Sequence, residues 1–326
     1  WGRRDGCCIA ASDKKASAQV AGGARALPIV KKIRTGSSGF SKSIRQEWFH
    51  PVITGLKTVP SEKMKGHESM KRWFLTVLGF LMMVQTAFAG HPLVTDDTGT
   101  QGKGSGQVEL GLSLFWDKDK ADEWTTFKSQ GGEAAASIAV GLTDTIDFVV
   151  GVPYVWHQVK ENGLLLERED GLSDIAFDVK WRFFEKEGWS LALKPGVSVP
   201  SGNEDKGLGA GRAGYRLFFL GTKEFEPVAI HANLGYIRNE NTFSEREDLW
   251  HASIAAEVEI ISGLKLMANV GAERNPDPSS NTHPAFALGG ISYDVSERIT
   301  LDAGVKYGLT STEDDWTALA GLTIAF

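Results

Sequence analysis

From residue 106 to residue 326 apolar and polar residues alternate in segments about ten residues long, and this constrains the chain more than any other feature. Val108, Leu110, Leu112, Leu114 and Trp116 interleave with Gln107, Glu109, Gly111 and Ser113. Ile175, Phe177, Val179, Trp181 and Phe183 interleave with Asp174, Ala176, Asp178, Lys180 and Arg182. The same period recurs at Trp250–Ile260 and Leu301–Leu309. Side chains on a strand point to opposite faces in turn, so a period of two makes one face apolar and the other polar. The pattern predicts twelve strands, at about 106–116, 128–140, 146–157, 172–184, 189–199, 212–222, 226–238, 249–260, 264–273, 284–294, 299–309 and 316–326. Their connections alternate between short turns and long polar loops. The turns are Leu142–Thr145, Glu185–Gly188, Thr222–Phe225, Ile261–Gly263 and Val295–Arg298. The loops are Asp117–Phe127, Gln158–Gly171, Pro200–Gly211, Asn239–Asp248, Arg274–His283 and Thr310–Asp315.

A soluble β-sandwich alternates too. Two features favour a barrel in a membrane. Aromatic residues stand near the ends of the apolar stripes, at Trp116, Tyr154, Trp156, Trp181, Trp189, Tyr236, Trp250, Tyr307 and Trp316, where a lipid–water interface favours an amphipathic ring. The last segment, Trp316 to Phe326, is an alternating strand ending on an aromatic residue, which resembles the assembly signal of outer-membrane barrels and makes the barrel assembly machinery an expected partner. The fold class expected is all-β: a transmembrane up-and-down antiparallel β-barrel of about twelve strands. An open edge in hydrocarbon would strand backbone polar groups, so the first strand must pair with the last. An even strand number puts both ends of the barrel in the periplasm.

The residues before the barrel divide by charge. The whole chain carries −6, but Lys and Arg outnumber Asp and Glu by 13 to 5 before Met70, whereas acids outnumber bases by 36 to 20 from Gly90 onward. Lys71-Arg72, the apolar run Trp73–Val84 and Ala87-Phe88-Ala89 read as a secretory signal peptide over 70–89, cut between Ala89 and Gly90. Residues 1–69, basic and without period, read as a disordered, non-native extension of the reading frame. Residues 90–105 read as a periplasmic N-terminal segment, and 106–326 as the barrel. The protein is thus expected in a bacterial outer membrane, among lipids and lipopolysaccharide. Its acidic mature part does not suit nucleic acid.

If the apolar stripe faces lipid, the lumen receives Glu109, Glu133, Asp147, Asp174, Asp178, Lys180, Arg182, Lys194, Arg216, His231, Asn233, His251, Glu257, Glu259, Lys265, Asn269, Glu273, Asp302 and Lys306. Both signs occur, so these groups either fill the lumen as ion pairs or line a narrow pore. The acidic loop runs, such as Glu313-Asp314-Asp315, read as solvated, with divalent-cation bridging to lipopolysaccharide as the alternative. No cofactor is implied. The only cysteines, Cys7 and Cys8, precede the barrel, so no Cys-ligated metal is expected in it. Outer-membrane phospholipases carry His-x-Ser-Asn-Gly, which this sequence lacks, and no catalytic residues are expected.

The mature start, His91-Pro92-Leu93-Val94-Thr95-Asp96-Asp97-Thr98-Gly99-Thr100, running through Gln101-Gly102-Lys103-Gly104 into Gln107-Val108-Glu109-Leu110, resembles the start of the family described by the MetA pathway of phenol degradation. Gly171–Asp174 and Pro195–Gly202 resemble that family's pattern as well. The resemblance spans Gly90 to Phe326. It implies an outer-membrane barrel and a transporter of small, aromatic or apolar, solutes by passive diffusion, and it supplies no catalytic residues. The alternative is a closed structural or adhesive barrel with an ion-paired lumen, and a lipid hydrolase or acyltransferase is a more distant one. Thr95, Asp96 and Asp97 read as a turn capping the periplasmic end, with a plug or gate inside the lumen as the alternative.

Overall fold

The computed structural model describes residues 91–120 and 123–326. The expected leader, its Ala89–Gly90 cleavage point and residues 1–69 lie outside the described residues. The strands are β1 (Gly106–Lys120), β2 (Thr126–Gly141), β3 (Ile146–Glu161), β4 (Leu164–Leu172), β5 (Ile175–Lys186), β6 (Trp189–Val199), β7 (Gly214–Phe225), β8 (Val228–Arg238), β9 (Asp248–Ile261), β10 (Leu264–Glu273), β11 (Ala285–Ser296), β12 (Ile299–Gly308) and β13 (Trp316–Ala325). Each pairs antiparallel with its neighbours. The sheet closes where β1 meets β13, from Gln107 opposite Ala325 to Trp116 opposite Trp316. Closure leaves no strand at the edge of the sheet except β4, which pairs with β3 alone.

Among the described residues, thirteen strands occupy twelve positions around the barrel. β3 pairs along its first part with β5, Ile146–Gly151 facing Ala176–Trp181, and along its far part with β4, Tyr154–Glu161 facing Leu164–Leu172. β4 and β5 are therefore one broken strand. This corrects the expected loop at Gln158–Gly171, most of which is a hairpin. Its turn is Asn162-Gly163, with φ of 51° and 88°. These left-handed conformations suit Asn and Gly and match the right-handed twist of the flanking strands. The Asn-Gly pair was thus a readable hairpin signal that the polarity of the surrounding residues obscured. At the break, Asp174 accepts hydrogen bonds from the backbone N–H groups of Gly202 and Ala210, 2.9 Å each. Ser201 Oγ accepts from the Ile175 N–H and donates to the Ser173 carbonyl. Loop 200–213 thus satisfies the groups that the interrupted ladder leaves over.

The two faces of the wall differ as the period requires. Leu110, Leu112, Phe148, Leu217, Phe219, Leu234, Ile254, Leu266, Val270, Ile291, Leu301 and Val305 all point outward, each at least 37 % exposed. So continuous an apolar exterior is stable only against hydrocarbon. Toward the rim of long loops it ends in Trp116, Tyr154, Tyr215, Tyr236, Trp250, Tyr307 and Trp316, and toward the rim of short turns in Phe183, Phe184, Trp189, Phe225 and Tyr293. The Tyr307 and Trp316 rings lie 4.6 Å apart on adjacent strands. β1 begins and β13 ends at the short-turn rim, the periplasmic side in barrels of this class. Among the described residues no helix is long and apolar enough to cross a membrane; the strands do the spanning.

A second expectation needs correction. The segment after His91 does not hang below the barrel but runs inside it, because its backbone and its acidic side chains find partners on the lumen wall and none in lipid. The lipid-facing assignment has a direct test. Val305 lies near the middle of β12, and Val305→Arg should cost about 2–4 kcal/mol in urea unfolding from lipid vesicles. Val305→Leu, which keeps the lipid face apolar, should cost much less.

Candidate functional site: a lumen filled by the N-terminal segment

Polar residues alternate inward on every strand, and the segment 91–105 threads among them. At its head, the His91 N–H donates to Glu109 on β1, and its ring Nδ1 bonds Asp302 on β12. Pro92 is fully buried against two glycines. A Cβ added to Gly290 would sit 2.8 Å from the Pro92 ring, and one added to Gly304 3.1 Å from it. These inward positions on β11 and β12 hold Gly because the segment approaches there. Leu93 and Val94 pack into a buried cluster with Ala255, Phe286 and Leu288, flanked by Met267 and Leu319.

Thr95 and Asp96 are each 1 % exposed and lie at the centre of this seat. Asn269 on β10 accepts from the Val94 and Thr95 N–H groups at 2.8 and 3.1 Å, and its amide donates to Thr95 Oγ1 at 2.7 Å. The Asp96 carboxylate bridges two ammonium groups, Lys180 on β5 at 2.9 Å and Lys194 on β6 at 2.6 Å. With its amide turned so that the oxygen faces the donor and the nitrogen the acceptor, Asn233 on β8 brackets the Asp96 backbone, accepting from its N–H at 2.6 Å and donating to its carbonyl at 2.8 Å. Asp97 is partly exposed, 3.8 Å from Lys180. A buried carboxylate is tolerated only when paired and hydrogen-bonded, and Asp96 is both.

The segment then descends. Thr98 bonds Thr222 through its N–H and Ser190 through its hydroxyl. The Gln101 N–H donates to both oxygens of Asp147, and Thr100 and Lys103 reach Asp144 in the β2–β3 turn. A cavity of about 450 Å³ lies against it on the periplasmic side, lined in part by Asp96, Lys180, Lys194, His231 and Lys265.

Several other predicted lumen residues pair along the wall. Arg216 holds Asp178 by two bonds of 2.8 and 2.7 Å. Lys306 meets Glu313 at 2.6 Å, and Lys265 meets Glu257 at 3.2 Å. His231 bonds Thr222 and stands 3.9 Å from Glu257; His251 bonds Ser253 and stands 3.6 Å from Glu273. Arg182 sits near the short-turn rim beside Glu185. Asp174 belongs to the strand break rather than to the group around the segment. The cap role expected for Thr95–Asp97 is replaced by insertion, because two lysines inside the wall draw the carboxylate inward. The sequence reading did not find His91, Pro92, Ser190 or Thr222 as contacts. The readable signal was glycine at inward positions of neighbouring strands, which marks a backbone approaching from within. The described residues hold no group of three His, Cys, Asp or Glu side chains arranged to bind a metal.

Comparison with known proteins agrees with the barrel fold. Among solved structures, the COG4313 outer membrane channel from Pseudomonas putida F1 is similar at 14 % identity and a TM-score of 0.57, over 71 % of this chain and 98 % of that one. More distant barrels include the KdgM porin, at 7 % identity and a TM-score of 0.45 over 68 % and 99 % of the two chains, and the translocator domain of the autotransporter NalP from Neisseria meningitidis, at 10 % and 0.46 over 81 % and 98 %. No curated protein matches the sequence. The model of the family described as "Putative MetA-pathway of phenol degradation" matches residues 89–326, and the chain belongs to that family of outer-membrane β-barrels.

Proposed function

We propose that this protein is an outer-membrane channel for small solutes whose own N-terminal segment occupies the lumen and must shift for full flux. The observation that carries this reading is the seat itself. Residues 91–101 are held by hydrogen bonds, ion pairs and close packing to β1, β3, β5, β6, β7, β8, β10, β11 and β12, yet are covalently joined to the wall only through the turn before Gly106. Polar contacts of this kind can be exchanged, whereas a lumen packed with wall side chains cannot be cleared.

Aromatic or apolar solutes suit the interior. The lumen is not uniformly polar: Phe115 and Val159 form one inward apolar patch with Phe127 and Leu166, and Ala192, Phe218 and Leu220 form another. The family's description, naming phenol degradation, points the same way. The ion pairs Asp178–Arg216 and Lys306–Glu313 favour the alternative of a closed structural barrel, and one experiment separates the two.

Folded protein in planar bilayers should show small conductance, and a variant lacking residues 91–100 should show severalfold more. Absence of conductance and of solute flux from both would overturn the channel. A milder variant tests the seat. Gly304→Leu places a side chain where Pro92 sits, so it should raise conductance while leaving heat-modifiable electrophoretic mobility, the mark of a folded barrel, unchanged.

A further inference from the structure

The N-terminal segment presents to the wall the outline of a small molecule: an apolar body, Leu93-Val94, and a carboxylate, that of Asp96, two residues further on. The wall offers a matching half to each. Ala255, Phe286 and Leu288 receive the body, and the ammonium groups of Lys180 and Lys194 receive the carboxylate, one oxygen each. The receiving groups come from β5, β6, β9 and β11, so they stay in place when the segment leaves. Among the described residues, both carboxylates within ion-pairing distance of Lys180, Asp96 and Asp97, belong to the segment and none to the wall. Withdrawal would therefore remove both ion-pair partners of Lys180 and leave it only its cross-strand neighbour Asp147, beyond ion-pairing distance, a costly state that an incoming anion relieves.

From this we infer that the seat is a binding site for amphiphilic monocarboxylates, and that the segment is a tethered competitor occupying it. The inference rests on the channel reading for its physiological sense, but the site itself is defined by binding. A ligand fits when an apolar body and a carboxylate are separated by about 7 Å, the reach of two extended residues. An arylpropionate or a short fatty acid meets this; an alcohol of the same shape lacks the charge, and acetate lacks the body. The cavity beside the segment touches both lysines and, of the apolar half, the flanking Met267, and gives such a molecule room to begin the exchange. A flexible tether presents its group at an effective concentration on the order of millimolar, so exchange is within reach of a ligand accumulated to that level. Binding would expel the segment and couple occupancy to opening.

The test is calorimetric binding of 3-phenylpropionate to the full chain folded in detergent, with 3-phenylpropanol and acetate as controls. Asp96→Asn keeps the shape of the segment and removes its charge. It should bind 3-phenylpropionate at least tenfold more tightly than the unsubstituted chain, because the competitor is weakened. Adding Lys194→Met should abolish that gain. A second measurement needs no change at Asp96. With Cys7 and Cys8 changed to Ser, Val94→Cys lies buried in the seat, and its labelling by maleimide should accelerate severalfold with 3-phenylpropionate and not with the controls. Equal affinity of the two chains, equal binding of the alcohol, or labelling indifferent to the carboxylate would overturn the inference. Because these readouts are independent of conductance, they can fail while the channel stands, and the channel can fail while they succeed.

Discussion

The hydrogen bonds between β1 and β13 are the constraint on which the rest of the structure depends. A strand in hydrocarbon cannot leave its N–H and C=O groups to water, and each unpaired group costs several kcal/mol. The register from Gln107–Ala325 to Trp116–Trp316 removes both edges at once. Closure makes the face opposite lipid an interior. Glu109, Asp147, Lys180, Lys194 and Asp302 are thereby brought within reach of one chain segment although they are far apart in sequence.

Once closed, a barrel of twelve positions has an interior too wide for its own side chains to pack throughout. Two devices fill it. Complementary charges on the wall neutralise each other, as Asp178 and Arg216 do, and the N-terminal segment brings its own chemistry to the rest. The second device has a distinct consequence. A pair formed by two wall residues is permanent, whereas a pair between the wall and a segment tethered at one end can be competed away. The placing of Asp96 on the segment and of both its lysines on the wall therefore separates a removable occupant from a fixed receptor.

The alternation alone made most of the barrel legible. It placed the twelve positions, the lipid face and the lumen face, and it named Lys180, Lys194, Asn233 and Asn269 as inward before any contact was known. Its errors have physical causes. The Gln158–Gly171 stretch is polar because β3 and β4 rise beyond the apolar girdle, where a strand no longer needs a lipid face, so alternation fades while pairing continues. Only the Asn162-Gly163 turn marked it. The insertion of Thr95–Asp97 is not legible in the sequence, because an irregular acidic segment carries no period to say on which side of a rim it lies.

What the sequence by itself determined is the wall, since side-chain direction along a strand is local and the demand for closure is general. What only the tertiary structure decided is the partner of each inward group. Asp96 reaches Lys180 and Lys194 across more than 80 residues of chain, and Pro92 reaches Gly290 and Gly304 across nearly 200 or more. Such pairings follow from the diameter of the closed ring and the register of its strands, quantities that no local pattern carries.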